Sequence, residues 1–420
     1  MQRIVVAGID FDFLRILMVF GSMRIFARRE YLGFRWIGLD TAVVLWVMAG
    51  VFFPILLFGL SAVLIGRLGM AYDNLGMYFL FRVLLHTLDD FRATIRSVIY
   101  ISLLVAAFFA LEMATGRNVF AIFGGVPEIT GVREGRLRCQ GAFSHPILAG
   151  AFWAAILPLV VCEWRGSFSN RWIVKASAVA CLLIVFASAS STPIFGVLAA
   201  GFCGAMFPFR SHLRFARWAF VLLLVFLHLV MQAPVWHLIS RVSAIGGSSG
   251  WHRYVLIDGF IRHWNEWWAI GSNVGTSHWG YMAHDVTNFY VVQGLTGGIV
   301  QLGLWFWLIA IAFAYVGRMR IAAEGSGTEL VVVWGVGVSL FVHIVNFIGV
   351  SYYGQIWLGW YMVLGGIGSL YASSLRTQTV SNEEYGTTRI RDGRASQKPF
   401  PLKAIPSRSS WLNRDVFPHK

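Results

Sequence analysis

Charge is what this sequence has least of. Asp, Glu, Lys and Arg make up only 13% of its 420 residues, against roughly 25% in soluble domains. That deficit excludes a single water-soluble globule, which could not hide an apolar content of 57% in one core. Cysteine is scarce as well. Cys139, Cys162, Cys181 and Cys203 form no CxxC pair and three of them lie inside apolar runs, which excludes a disulfide framework and a thiolate zinc site. The N-terminus lacks a cleavable signal ending in small residues, so insertion is expected to rely on the membrane spans themselves.

What the sequence does have is repeated uncharged apolar runs that match a hydrocarbon layer of ~30 Å. Spans are expected near 11–25, 41–65, 69–86, 96–114, 146–163, 173–189, 192–208, 217–233, 291–316, 329–348 and 354–372. The fold class is therefore an all-α, polytopic transmembrane helical bundle of about 10–12 spans. Residues 1–372 form the transmembrane domain. The tail 373–420, rich in Ser, Pro and Arg, has too few large apolar residues to fold alone and is expected to be disordered.

The formal net charge of +14 is read as a topology signal before a nucleic-acid one, and no nucleic-acid partner is expected. Basic segments around 24–36, 92–96, 164–175, 209–218 and 318–320 alternate with poorer ones, which places all of them, and the tail, in the cytoplasm. Two long loops, 115–145 and 234–290, are left on the outer side. The first breaks the pattern with Arg117, Arg133, Arg136 and Arg138. Arginines kept there point to an anion, unless each pairs with Glu128 or Glu134.

In the second loop, "GWHRYVLIDGFIRHWNEWW" (250–268) places Tyr254, Ile257, Ile261 and Trp264 at helical spacing. That pattern predicts an amphipathic helix at the membrane surface. Arg262 has Asp258 four residues back as a ready partner, whereas Arg253 has no local acid and is the better anion ligand.

A polar cluster, "HDVTN", His284 to Asn288, stands at the entrance to the apolar run 299–316. Asp285 is expected to cap a helix that passes Gln293, loosens at Gly294 and Gly297–Gly298, and continues as a span. Its N-terminus would offer free N–H groups to a phosphate. His284 can act as base or donor, and Asn288 would share its helix face. Thr287 lies between them as a further substrate contact. A third stretch, "GRLRCQGAFSHPILAG" (135–150), brackets a Gly turn with Arg138 and His145, and Pro146 suits a first helical turn. "SASSTPIFG" (188–196) reads as a hairpin cap, or as a re-entrant turn lining a cavity.

Together these pieces resemble the O-antigen ligase/polymerase superfamily of bacterial inner-membrane glycan enzymes. The resemblance rests on R-x-x-G-x-x-x-H-P (Arg138, Gly141, His145, Pro146), the S-S-T break, a large loop with "WWAIGSNVG", the "HDVTN" cluster and the following G-x-x-G-G. It covers about residues 40–372. Most relatives have His and Asn adjacent; here Asp-Val-Thr separates His284 from Asn288, which brings in Asp285 as a rival candidate base.

The resemblance implies a polyprenyl-diphosphate-linked glycan as donor and a metal-independent, inverting transfer to an acceptor hydroxyl at the periplasmic face, as polymerase or ligase. No cofactor and no metal is expected. His284, Asp285 and Arg253 would be catalytic, and Arg138, His145, Asn288, Thr287 and Arg136 would bind substrate. Membrane lipids and other polysaccharide-assembly proteins are the expected partners. Two rival readings remain: a glycolipid transporter or flippase, and a metal-dependent glycosyltransferase using a lipid-monophosphate sugar through Asp10-Phe-Asp12.

Overall fold

The computed structural model describes residues 4–6, 9–11, 13–165, 170–241, 249–280 and 282–391. Its first compact unit spans Met1–Ser373. Thirteen α-helices are found among the described residues. In order they are α1 (Phe13–Ala27), α2 (Gly38–Phe58), α3 (Leu60–Leu84), α4 (Leu88–Thr115), α5 (Pro146–Glu163), α6 (Arg171–Ala187) and α7 (Ser191–Ala205). Then come α8 (Leu213–Val230), α9 (Ser249–Arg262), α10 (Trp264–Trp267), α11 (Phe289–Ala322), α12 (Gly327–Gly349) and α13 (Ile356–Arg391). The only strands described are two short antiparallel hairpins, β1 (Ile4–Val6) with β2 (Ile9–Phe11), and β3 (Val132–Arg133) with β4 (Arg136–Leu137).

Helix dominates because a backbone crossing hydrocarbon must satisfy its own N–H and C=O groups. Six helices among the described residues are long and apolar enough to span a membrane: Gly38–Phe58, Leu88–Thr115, Pro146–Glu163, Phe207–Val230, Phe289–Ala322 and Gly327–Gly349. The protein is a multi-pass, all-α membrane protein. Each apolar run singled out in the sequence falls on a helix. One boundary moves: Gly59, at φ 86°, ends α2, so the expected span 41–65 stops early and α3 takes in the rest. The backbone of α13 is helical to Arg391, and residues 392–420, most of the expected disordered tail, lie outside the described residues.

Side-chain bonds sort the connections into two ends. At one end Arg92 and Arg96 face Glu163, Arg210 pairs with Glu324, and Arg82 binds Asp40 and the carbonyl of Arg35. The basic segments thus share an end, as their alternation along the chain requires. At the other end Cys139 N–H donates to the carbonyl of Ala187, Asn288 Nδ2 to that of Ile348 and Gln355 Nε2 to that of Ala142. This end gathers the loop 115–145, the α6–α7 turn, the start of α11 and the loop after α12.

Helix α9 packs one face inward. Leu256 joins Trp267, Trp279, Ala283 and Val291 in a small buried cluster, while Trp251, Ile261, Trp264 and Trp268 are exposed. The expected amphipathic segment is broken between Arg262 and Trp264, where α10 begins. Helix α11 is interrupted at Gly297 and Gly298, the latter at φ 63°. A side chain at Gly298 would strike the carbonyls of Trp268 and Ala269, so glycine lets the end of α10 dock on the break, where Ile299 N–H donates to the Trp268 carbonyl at 2.8 Å. Gly294 stays helical, because its lack of a side chain serves Phe260 and Trp267, which press against it.

Candidate anion-binding site

A pocket opens at this loop-rich end, lined by Arg133, Glu134, Arg136, Arg138, Ile147, Ala189, Ser190, Ser191, Thr192 and Arg253. Four arginines thus face one carboxylate. The arginines come from two places far apart in the chain, 133–138 and 253, the turn 189–192 adds a third wall, and local structure explains each arrival.

The hairpin β3–β4 turns through Glu134 and Gly135, both at positive φ (52° and 73°), the conformation that two-residue hairpin turns demand. It presents Arg133 and Arg136 together. Arg138 follows on a chain held by the buried Glu112 of α4, whose carboxylate accepts from the N–H groups of Gln140 and Gly141. Gly141, at φ 54°, lies where a side chain would collide with Phe109.

The α6–α7 turn supplies the hydroxyls. Arg138 Nη2 donates to Ser190 Oγ at 3.0 Å. Arg253 Nη2 donates to Thr192 Oγ1 at 2.7 Å, and that hydroxyl donates to the carbonyl of Gly349 at 3.3 Å. The polar break at 188–196 therefore joins two helices and also lines the cavity.

Neither Arg138 nor Arg253 has an acidic partner among the described residues, and the buried Nε of Arg138 has no partner at all. Only 8% of Arg253 is exposed. Burial, and then the nearby Arg133, lower the pKa of both guanidiniums. A buried cation without a counter-ion is costly, by several kcal/mol, and an anion entering the pocket would relieve that cost. The other arginines behave differently: Arg262 pairs with Asp258 at 2.7 Å and Arg117 with Glu128 at 3.1 Å.

His145 precedes α5 as its N-cap, with Pro146 in the first turn; its Nδ1 accepts from Ile147 N–H at 3.2 Å. The ring hydrogen of the neutral form therefore sits on Nε2, making His145 a donor there. Burial first, and Arg138 next, lower its pKa, while Asp285 acts in the opposite sense. Asp285 also pushes up the Tyr353 hydroxyl, behind burial as the larger cause. Asp285 thus stands within electrostatic reach of His145 and of the loop after α12.

The stretch 284–288 differs from its expected form. Asp285 does not cap α11. It lies exposed in a turn closed by Asp285 N–H to the Met282 carbonyl, and the cap is Asn288, whose Oδ1 accepts from the N–H groups of Tyr290 and Val291. An amide oxygen one residue before the helix reaches those donors, and a carboxylate four residues before it does not. The same bonds occupy two of the N–H groups that the start of α11 would otherwise offer a phosphate. Nor do His284 and Asn288 share a helix face, because residue 284 lies before the helix; His284 is exposed, whereas Asn288 is 2% exposed.

The pocket brings together Arg136, Arg138 and Arg253. His145 and Asp285 lie near it, and its lining does not include His284, Thr287 or Asn288. Thr192 and Ser190 had only the polar S-S-T break to announce them. Tyr353 had no signal beyond its place in a short polar loop. Of the Asp10–Asp12 pair, Asp10 lies in β2 and Asp12 outside the described residues. Compared with known proteins, the chain matches no family model and no curated protein.

Proposed function

We propose that the protein is a membrane glycosyltransferase of the O-antigen ligase/polymerase kind. It takes a glycan from a polyprenyl-diphosphate carrier and transfers it to an acceptor hydroxyl at the periplasmic face of a bacterial inner membrane. The observation that carries this reading is the convergence of two arginines without acidic partners among the described residues, the half-buried Arg138 and the buried Arg253, on one pocket at the mouth of a helical bundle. A diphosphate headgroup suits four arginines and three hydroxyls, and its lipid tail suits the surrounding bundle.

The chemistry follows from charge. The acceptor oxygen attacks the anomeric carbon while the bond from that carbon to the diphosphate oxygen breaks, and the diphosphate leaves with the electron pair. Arg138 and Arg253 stabilise that charge through charge-assisted hydrogen bonds, and His145 Nε2–H adds a neutral donor. The acceptor proton goes to a base. Asp285 is favoured for that role over His284 because of its electrostatic contact with His145. Attack opposite the leaving diphosphate gives inversion.

The test is reconstitution of the purified chain in vesicles with a polyprenyl-diphosphate oligosaccharide and a glycan acceptor. Release of polyprenyl diphosphate in step with a lengthened glycan supports the reading. Movement of intact glycolipid between leaflets without cleavage would replace it with the transporter reading.

A further inference from the structure

A second polar cluster stands at the opposite end of α9 from Arg253. His263, Glu266 and His278 each offer one ligand atom, and these atoms lie within 4.8 Å of one another. We propose that they bind a divalent transition-metal ion of the zinc class, which clamps the segment 263–279 onto α9.

The donor set is two imidazoles and a carboxylate, a combination suited to such ions. His263 and Glu266 are three residues apart across the start of α10, on one face. His263 Nδ1 donates to the Gly259 carbonyl at 2.9 Å, which leaves the lone pair on Nε2; this is the outer hydrogen bond that metal-bound histidines make. Glu266 is held by the Trp279 indole N–H at 3.1 Å, and the His263 ring stacks on Trp279 with 11° between planes. His278 Nε2 already stands 2.9 Å from the carboxylate, so an ion would replace the proton bridging them.

A tetrahedral ion with bonds of about 2.0–2.1 Å sets its ligands roughly 3.4 Å apart, so the triangle must close by about 1.4 Å at its widest. His278 can supply that movement, since its side chain is 42% exposed on a short turn.

The clamp has a structural purpose. Trp279 packs so tightly on Gly259 of α9 that a side chain at 259 would collide with it, and the ion would fasten that contact. Arg253 lies ten residues away along the chain, roughly 15 Å for helix, so the ion is remote from the diphosphate pocket.

The experiment uses the full chain in detergent, stripped with a chelator and titrated with Zn²⁺. The expected result is one ion per chain, and none in the double variant His263→Ala/His278→Ala at unchanged circular dichroism. In a second measurement Co²⁺ is added to His278→Cys. A thiolate-to-cobalt charge-transfer band absent from the unaltered chain would show that position 278 ligates, whether or not the double variant folds. Equal Zn²⁺ uptake by the double variant overturns the proposal, as does absence of the cobalt band. So does failure of the unaltered chain to bind Zn²⁺, which would leave a plain His–Glu ion pair.

Discussion

Arg253 and Thr192, 61 residues apart in the chain, meet at 2.7 Å between Nη2 and Oγ1. The contact ties α9 to the start of α7, beside the α6–α7 turn, and it uses one of the five N–H donors of the guanidinium. The hydroxyl positions Arg253 without neutralising it. Thr192→Val is therefore expected to lower glycan transfer about tenfold or less, and Thr192→Ser to restore it. The turnover of reconstituted protein at matched abundance measures this.

The arginines themselves are ranked by their partners. Loss of a charge-assisted contact costs about 1.5–3 kcal/mol, so Arg253→Ala and Arg138→Ala should each lower turnover by about ten- to a hundredfold or more. Arg→Lys should restore little wherever the contact is bidentate. Arg262→Ala, which removes an exposed arginine already paired with Asp258, should be mild. Equal losses at all three positions would make the effect a general electrostatic one.

Residues 285 and 288 separate chemistry from architecture. Asn288→Ala removes a helix cap and should lower stability by about 1 kcal/mol, visible in thermal unfolding. Asp285→Asn should leave the unfolding curve unchanged while reducing transfer. The opposite assignment of effects would restore Asp285 as a structural residue.

His145 gives a pH dependence. Its folded pKa lies below the ordinary 6.5, through burial and then Arg138, so the unfolded chain takes up the proton first. Stability is then expected to fall as pH drops from about 6.5 towards the folded value. His145→Asn keeps a side-chain cap and should lose less stability over that window. Asp285→Asn removes an influence that raises the His145 pKa, and should move the acid limb of activity to lower pH.

Topology is tested by labelling. With the native cysteines replaced, Ser277→Cys should react with an impermeant reagent added outside, and Ser211→Cys only after the membrane is opened. The reverse pattern would put the pocket on the cytoplasmic side and remove the periplasmic reaction.

The spans were legible because length and apolarity decide them, and the break at Gly297–Gly298 because glycine weakens a helix, although the same pair at Gly365–Gly366 stays helical under Phe81 and Phe91. Arg253 stood out from Arg262 because an acid at i+4 spacing is a local signal. The sequence pattern points to Asp285 as the cap of α11 where the structure has Asn288, because both residue types cap helices and only the backbone turn at 282–285 chooses between them. The partnership of Thr192 with Arg253 depends on a contact between distant segments that no periodicity encodes, and the β3–β4 hairpin that aims Arg133 and Arg136 is local but has strands of only two residues, too short for an alternating pattern to show.

The central claim is that Arg138 and Arg253 together hold a diphosphate. Its most direct test is the affinity of purified chain for farnesyl diphosphate, compared with farnesyl monophosphate and with the Arg138→Ala and Arg253→Ala variants. The account predicts tighter binding of the diphosphate, weakened about ten- to a hundredfold by either substitution. Equal affinity for the two lipids, unchanged in both variants, would contradict it.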